Sequence, residues 1–407
     1  MQHRPSRRLA LIAGLAGLAM FAAAAPAQEA RSLKIGVLAD MSGVYSDVSG
    51  KGIEVGARLA IEDFLKRSPG WSVELLVADH QNKADIASTL TRQWIDVDGI
   101  DMVMNGANSA AGLAVAKVAA EKRRVNFDVG AATTRLTNEE CTAYTVQYVY
   151  DTYMLSIETA RTLVAGGGDS WFFLTADYAF GHALEADTGK AVIDSGGTVK
   201  GSVRHPINTA DFSSFLLQAQ SSGASVIGLA NAGGDATNAI RSAQEFGLTP
   251  KQTLVGLLMF DNDVHSLTLP VAQGMYLTTA WYWDLNDRTR AFGRRFFEQM
   301  KRMPNMAQAG AYSAVSTYLN AVREAETRDA DRVMAQLRRT RIDDVFTDSG
   351  FIREDGRMVH EAYLVQVKTP AESKQPWDYY KVVKRLDGDK VALPLSQSRC
   401  PLVRKGS

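Results

Sequence analysis

The sequence offers little to a reaction that needs a metal, an activated nucleophile or a bound phosphate. His80, His182, His205, His265 and His360 are scattered, with no His-x3-His pair and no Cys-x2-Cys. Each reads as a surface or hydrogen-bonded histidine rather than a ligand, so no metal is expected. No Gly-x-Ser-x-Gly elbow and no Gly-x4-Gly-Lys-Ser/Thr loop occurs, which leaves α/β-hydrolase and P-loop chemistry without a signature. Gly50, Gly52 and Gly56 come close to a dinucleotide fingerprint. Their spacing is Gly-x-Gly-x3-Gly, however, and the long loop of residues 40–49 precedes them. That loop is too long for the tight turn that brings pyrophosphate to a helix N-terminus. The expectation is a chain that is not an enzyme and carries no cofactor.

What remains is a set of short runs rich in small residues, hydroxyls and amides: residues 105–109 (NGANS), 130–134 (GAATT), 177–181 (DYAFG) and 231–235 (NAGGD). Ser109 reads as the N-cap of a following helix. The same geometry presents a hydroxyl and backbone N–H groups to an anion. Two such runs after neighbouring strands suggest a neutral anion-binding nest. Tyr45 lies in the loop of residues 40–49. The aromatic run Trp281-Tyr282-Trp283 is usual as core or interface packing, and near a cleft it could line a pocket.

These runs need elements to hold them. Residues 33–39 (LKIGVLA) form a buried-strand pattern, and residues 52–67 place Ile53, Ala57, Ala60, Ile61 and Phe64 on one helical face. Strand patterns at 71–78, 100–104 and 125–129 alternate with helical ones from 84 and at 110–122. The rhythm repeats with helices at 151–164, 183–194, 212–220 and 236–246. Strands stand between them at 171–175, 198–203, 226–230, 254–258 and 275–279. Strands separated by helix-length segments imply βαβ units and parallel sheets. Three late helices, at 288–303, 307–325 and 331–339, precede strands at 359–367 and 377–383, as if the chain revisits two lobes.

The ends speak to compartment. Arg4, Arg7 and Arg8 precede an uncharged run over residues 9–25, and Ala25-Pro26-Ala27 offers small residues for cleavage. Residues 1–27 therefore read as a secretory signal peptide. Lys+Arg and Asp+Glu are both 45, so nothing favours nucleic acid as a partner. In an oxidising compartment, the pair Cys141 and Cys400 is expected to form a disulfide.

In their order and spacing, these segments resemble the periplasmic solute-binding proteins of branched-chain-amino-acid-type ABC importers. Residues 34–52 (KIGVLADMSGVYSDVSGKG) are similar to that family's first strand, ligand loop and helix start, and residues 130–137 (GAATTRLT) to its carboxylate-binding turn. Residues 177–181 and 231–235 are similar to its second-lobe cleft loops. The resemblance spans roughly residues 33–385. It implies an α/β, type I periplasmic-binding-protein fold: two Rossmann-like lobes with parallel sheets, joined by a three-strand hinge near residues 148–151, 278–280 and 352–355. It places one lobe at 31–149 with 279–353, the other at 150–278 with 354–385, and a C-terminal tail at 386–407.

The resemblance also implies a monomer that captures a small carboxylate-bearing ligand, a branched-chain or related amino acid, and delivers it to ABC permease subunits in the inner membrane. The residues carried over are Tyr45, Ser109, Ala131, Thr133, Phe180 and Asp235. Asp261 and Asp263 stand where amino-acid-binding members supply a glutamate for the ammonium. Phe180 stands where those members have a tyrosine. With Trp281 and Tyr282 it would suit an aromatic or other non-amino carboxylate, which is the alternative ligand. The alternative role is that of a ligand sensor.

Overall fold

The computed structural model describes residues 31–248 and 252–403. The signal read at residues 1–27 and the end of the tail, 404–407, lie outside the described residues. Five parallel strands form the first sheet: β1 (Ser32–Ala39), β2 (Ser72–Asp79), β3 (Met102–Asn105), β4 (Val125–Asp128) and β5 (Thr145–Gln147), in the order β2-β1-β3-β4-β5. Helices α1 (Gly50–Arg67), α2 (Ala84–Gln93) and α3 (Ser109–Glu121) connect them. The second sheet repeats the plan with β6 (Ser170–Ala176), β7 (Thr198–His205), β8 (Val226–Ala230) and β9 (Thr253–Gly256), in the order β7-β6-β8-β9. Its helices are α4 (Thr152–Ala165), α5 (Ala179–Asp194), α6 (Ser213–Ser221) and α7 (Gly233–Glu245), followed by the short α8 (Asp261–Leu267) and α9 (Leu269–Ala272).

Strand order reverses beside the first strand of each sheet, between β1 and β3 and between β6 and β8. Such switch points leave a crevice at the carboxyl ends of parallel strands. The loops after β1, β3, β6 and β8 are therefore the ones the topology exposes to a ligand, and they include three of the four polar runs read from sequence.

The chain then returns to each lobe. Helices α10 (Asp287–Met300), α11 (Met306–Ala325) and α12 (Ala330–Arg339) belong with the first sheet, where α11 packs on α1. Strands β10 (Tyr276–Thr279), β13 (Ala362–Val367) and β14 (Tyr380–Leu386) form an antiparallel sheet beside α4. The glycines of α1 find their reason here. A Cβ on Gly56 would lie 2.5 Å from the Gln308 carbonyl oxygen, and one on Gly52 only 2.3 Å from the Gln308 side chain. The near-fingerprint spacing is thus a close helix–helix approach.

Between the lobes, β11 (Phe351–Ile352) and β12 (Met358–Val359) make a small hairpin. It is held to the end of β5 by the Gln147 N–H, which donates to the Gly356 carbonyl at 3.0 Å. Arg357 is 1% exposed, and its Nε lies 3.0 Å from Oδ2 of the equally buried Asp151. Its terminal nitrogens donate to the Gln147 carbonyl (3.0 Å) and the Val149 carbonyl (3.4 Å). Asp151 also caps α4 through the Met154 N–H at 2.8 Å. The cysteine pair is bonded as expected, Cys141 to Cys400, with Cα atoms 5.6 Å apart.

A buried ion pair broken on one side leaves an uncompensated charge. Arg357→Leu should therefore destabilise the fold by about 3–5 kcal/mol, read as a lowered urea midpoint at an unchanged denaturant slope.

Candidate functional site

The loop after β1 is organised by Asp40, which is fully buried. Its carboxylate accepts from the Gly43 N–H (2.7 Å), the Tyr45 N–H (2.8 Å) and Asn82 Nδ2 (2.6 Å). This fold aims Tyr45 across the cleft, where its hydroxyl meets that of Tyr178 at 2.8 Å. Two further bonds join the lobes: the Gly234 N–H donates to the Val44 carbonyl at 3.2 Å, and Asn305 Nδ2 donates to Asn262 Oδ1 at 2.8 Å. The lobes are thus closed upon each other. They enclose a space of about 300 Å³, counted out to its open mouth, whose aromatic walls are Tyr45, Tyr150, Tyr178, Phe180 and Phe260.

Three helices point their N-termini at this space. Asn108, with φ 67°, caps α3 by accepting from the Ala111 N–H. Ser109, expected as the cap, is instead the first helical residue. The amide of a residue at that position has no partner within its helix. The Ser109 oxygen accepts from the Thr133 N–H at 3.1 Å, which leaves its own proton free to donate. Helices α5 and α7 begin at Ala179 and Gly233 without a side-chain cap. Both start three or four residues earlier than the sequence pattern suggests. The DYAFG and NAGGD runs are therefore helix starts, with Phe180 and Ala232 lining the space. Neither lysine nor arginine is among the lining residues, so the groups there that could meet an anion are helix N-terminal amides.

The residues expected from sequence divide into two layers. Tyr45, Ser109 and Phe180 line the space. Thr133 is fully buried, with its N–H on Ser109 and its hydroxyl oxygen accepting from the Arg135 N–H. The Ala131 N–H goes to Asp128 at 2.6 Å, and its carbonyl accepts from Gln147 Nε2 at 2.8 Å. Asp235 accepts from the Asn208 and Thr209 N–H groups and ties down the 206–209 loop. Asp263 accepts from the Phe260 N–H at 2.9 Å. Asp261 and Asp263 lie in the first turn of α8, and neither lines the space. Trp281 donates to the Val345 carbonyl and Tyr282 to the Trp377 carbonyl, and both rings sit in the core. The aromatic run therefore serves packing. Sequence reasoning did not single out Tyr150, Tyr178 or Phe260. Tyr150 lies in a segment read as hinge, and Phe260 beside the acids that drew attention.

Buried carboxyls stand behind the lining residues, none of them in the lining itself. Burial pushes Asp128 up to about 7, against the hydrogen bonds from Ala131, Asn105 and Gly130 that favour its anion. Burial likewise raises Asp263 to about 7 and Asp235 to about 6. Burial and then the neighbouring Asp263 hold Asp261 well above the usual carboxylate range.

With this geometry in view, comparison with known proteins is informative. A family model described as "Periplasmic binding protein" matches residues 32–375. A solved periplasmic binding protein from Burkholderia mallei is 51% identical and superposes with a TM-score of 0.90, covering 92% of this chain and 99% of that one. A branched chain amino acid ABC transporter periplasmic ligand-binding protein from Burkholderia xenovorans LB400 is 38% identical, with a TM-score of 0.81 over 91% of this chain and 100% of that one. A Leu/Ile/Val-binding protein homolog from Brucella abortus is 26% identical over 212 residues, 52% of this chain. The match spans about half the length of that curated relative (53%).

Two measurements probe the site. A carboxyl raised by burial contributes stability that is full below about pH 4 and is lost as pH climbs towards its folded value near 7. Asp128→Asn removes that dependence, so the variant should gain on the wild type by up to a few kcal/mol between pH 4 and 7 in denaturant titrations. Gly233 has φ +57°, and a Cβ there would lie 2.6 Å from the Val44 carbonyl oxygen across the cleft. Gly233→Ala should therefore disfavour closure, giving a larger radius of gyration in small-angle scattering with an unchanged circular dichroism spectrum.

Proposed function

We infer, from the premise that this chain belongs to the periplasmic binding protein family, that it is the extracytoplasmic receptor of an ABC importer. It captures a small carboxylate-bearing ligand between its lobes and delivers it to a membrane permease. The observation that carries this reading is the convergence of three uncapped or partly capped helix N-termini and the Ser109 hydroxyl on one small space without a lining cation. Such a site suits a carboxylate, since backbone amides and a hydroxyl bind an anion without a lysine to hold it too firmly.

The members of this family are solute-binding proteins rather than enzymes. No described helix is long and apolar enough to cross a membrane. We read residues 1–27 as an export signal, residues 31–149 with 279–353 as one lobe, and residues 150–278 with 354–385 as the other. The hinge lies near residues 148–151, 278–280 and 352–355. The protein acts as a monomer in the periplasm.

For the ligand, a branched-chain or related amino acid is supported by the acids behind the cleft. A ligand ammonium near Asp261 or Asp263 would restore the ionised form that burial suppresses. The five aromatic wall residues support the second reading, an aromatic or other non-amino carboxylate. A sensory role would use the same closure with a different partner.

Titration calorimetry against a panel of aliphatic amino acids and aromatic acids should find saturation near one site and no turnover. A charge-assisted hydrogen bond is worth ~1.5–3 kcal/mol, so Ser109→Ala should weaken affinity by roughly 10- to 100-fold. Thr133→Val keeps the N–H that Ser109 accepts from and removes the hydroxyl that accepts from the Arg135 N–H, so it should weaken affinity through the shape of that turn, by less than Ser109→Ala. Asp263→Asn separates the two ligand classes: a large loss marks an amino acid, and a small one a simple acid for which Phe180→Ala matters more. Unchanged affinity in both Ser109→Ala and Thr133→Val would refute the site.

A further inference from the structure

The C-terminal tail touches both lobes, and it does so after the chain's last strand has ended. Beyond β14, the helical turn α13 (Gly388–Val391) lies on the hinge segment: a Cβ on Gly388 would stand 2.7 Å from the His360 carbonyl oxygen. Arg353 Nη1 then donates to the Leu393 carbonyl at 2.9 Å. Leu393 and Gln397 lie beside α4 and α5 and line, with Tyr153, Ser156, Asp187 and Lys190, a pocket of about 430 Å³ counted out to its open mouth. Three residues later the tail is on the other lobe. The Arg399 N–H donates to Asn138 Oδ1, Arg399 pairs with Glu139 at 3.1 Å, and Cys400 is bonded to Cys141.

Asn138 to Cys141 form the loop that enters β5 of the first sheet, whereas α4 and α5 belong with the second. A contact between the lobes lies beside this crossing: Asp187 accepts from Thr134 Oγ1 of the first lobe at 3.2 Å and from Thr152 Oγ1 at the start of α4.

We propose that residues 386–400 form a covalent strap, a fourth crossing between the lobes, that limits how far they part and so biases the free protein towards closure. The argument is one of reach. An extended chain spans at most ~3.3–3.6 Å per residue. Gln397 lines the pocket over α4 and α5, and Cys400 is bonded to the first lobe, so while that contact holds the two points separate by no more than about 10 Å. Wider opening has to peel the tail off α4 and α5. A constraint that falls on the open state alone favours the closed one. The inference rests on the two-lobe closure proposed above but not on the identity of any ligand.

The test separates tether length from cross-linking. Cys141→Ser with Cys400→Ser removes the bond. A second variant inserts six Gly/Ser residues between Gln397 and Ser398 and keeps the disulfide. Small-angle scattering of ligand-free protein should show both variants with a larger radius of gyration and maximum dimension than the wild type. The insertion variant should retain the wild-type melting temperature, because its cross-link is intact. An insertion variant whose scattering matches the wild type overturns the strap, whether or not the serine variant differs. Should the serine variant fold poorly, the insertion variant decides alone. Failure of the calorimetric panel to find a ligand leaves this result unaffected and bears only on the binding reading.

Discussion

Arg357 is a cation with no access to water, placed where the two lobes of the chain meet. Burial lowers its affinity for its proton, and the neighbouring Asp151 carboxylate, with Asp355 behind it, works against that loss. Its remaining donors must find partners inside the protein, and they take the Gln147 and Val149 carbonyls, on the segment that leaves β5. Asp151 in turn starts α4. One side chain therefore fixes the last strand of the first sheet, the first helix of the second, and the hairpin of residues 351–359 relative to one another. Replacing such a pair by apolar residues is often neutral for stability. What it contributes here is geometry: the crossings are held in one register at their base, so motion is left to the segments that flank it.

Against that fixed base, the contacts that close the cleft are few and polar. Tyr45 meets Tyr178, Asn305 meets Asn262, and the Gly234 amide meets the Val44 carbonyl. Each such bond is worth roughly 0.5–1.5 kcal/mol net, because the open form gives the same groups to water. The glycines at 233 and 234 belong to this economy of contact. At Gly233 only a residue without a side chain lets the start of α7 reach the backbone of Val44.

Much of the fold was legible because its signals are local and periodic. Apolar strands such as residues 33–39 and helices such as α1 announce themselves by pattern, and the alternation between them implies parallel sheets. Strand β5, three residues long, carries no period to detect. It exists because Phe127 and Asp128 offer an edge to pair with. The starts of α5 and α7 were read too late because Gly181, Gly233 and Gly234 look like loop residues. In both places tertiary contact overrides propensity. A Cβ on Gly181 would lie 2.0 Å from the Ala176 carbonyl oxygen, so the helix leaves its strand almost without a turn. In the site, the loops were legible and the roles within them less so. Asn108 caps in place of Ser109, since its left-handed φ brings its carboxamide over the Ala111 amide. Tyr178 sits one residue before the helix, where no pattern distinguishes it. The Trp281 run looked like a pocket wall, yet both indole nitrogens of Trp281 and Trp283 are spent on carbonyls of the frame.

The two layers around the cleft divide affinity from choice. The inner layer consists of helix amides, one free hydroxyl and aromatic faces, which on the proposed reading would take a flat or compact anion of the right size. It holds no group that tells one carboxylate from another by charge. The outer layer holds Asp128, Asp235, Asp261 and Asp263, all kept towards their neutral forms by burial. A neutral carboxyl costs an uncharged ligand tail little, while an ionised one would repel the ligand's own carboxylate. On the proposed reading, these acids would leave the site acceptable to simple acids and would turn strongly favourable only when a cation comes near enough to draw off their protons. Discrimination between an amino acid and its deaminated analogue would, on the same reading, depend on the distance from the ligand's ammonium to Asp263. A carboxylate seated against Ser109 would set that distance, so the first contact would govern the second.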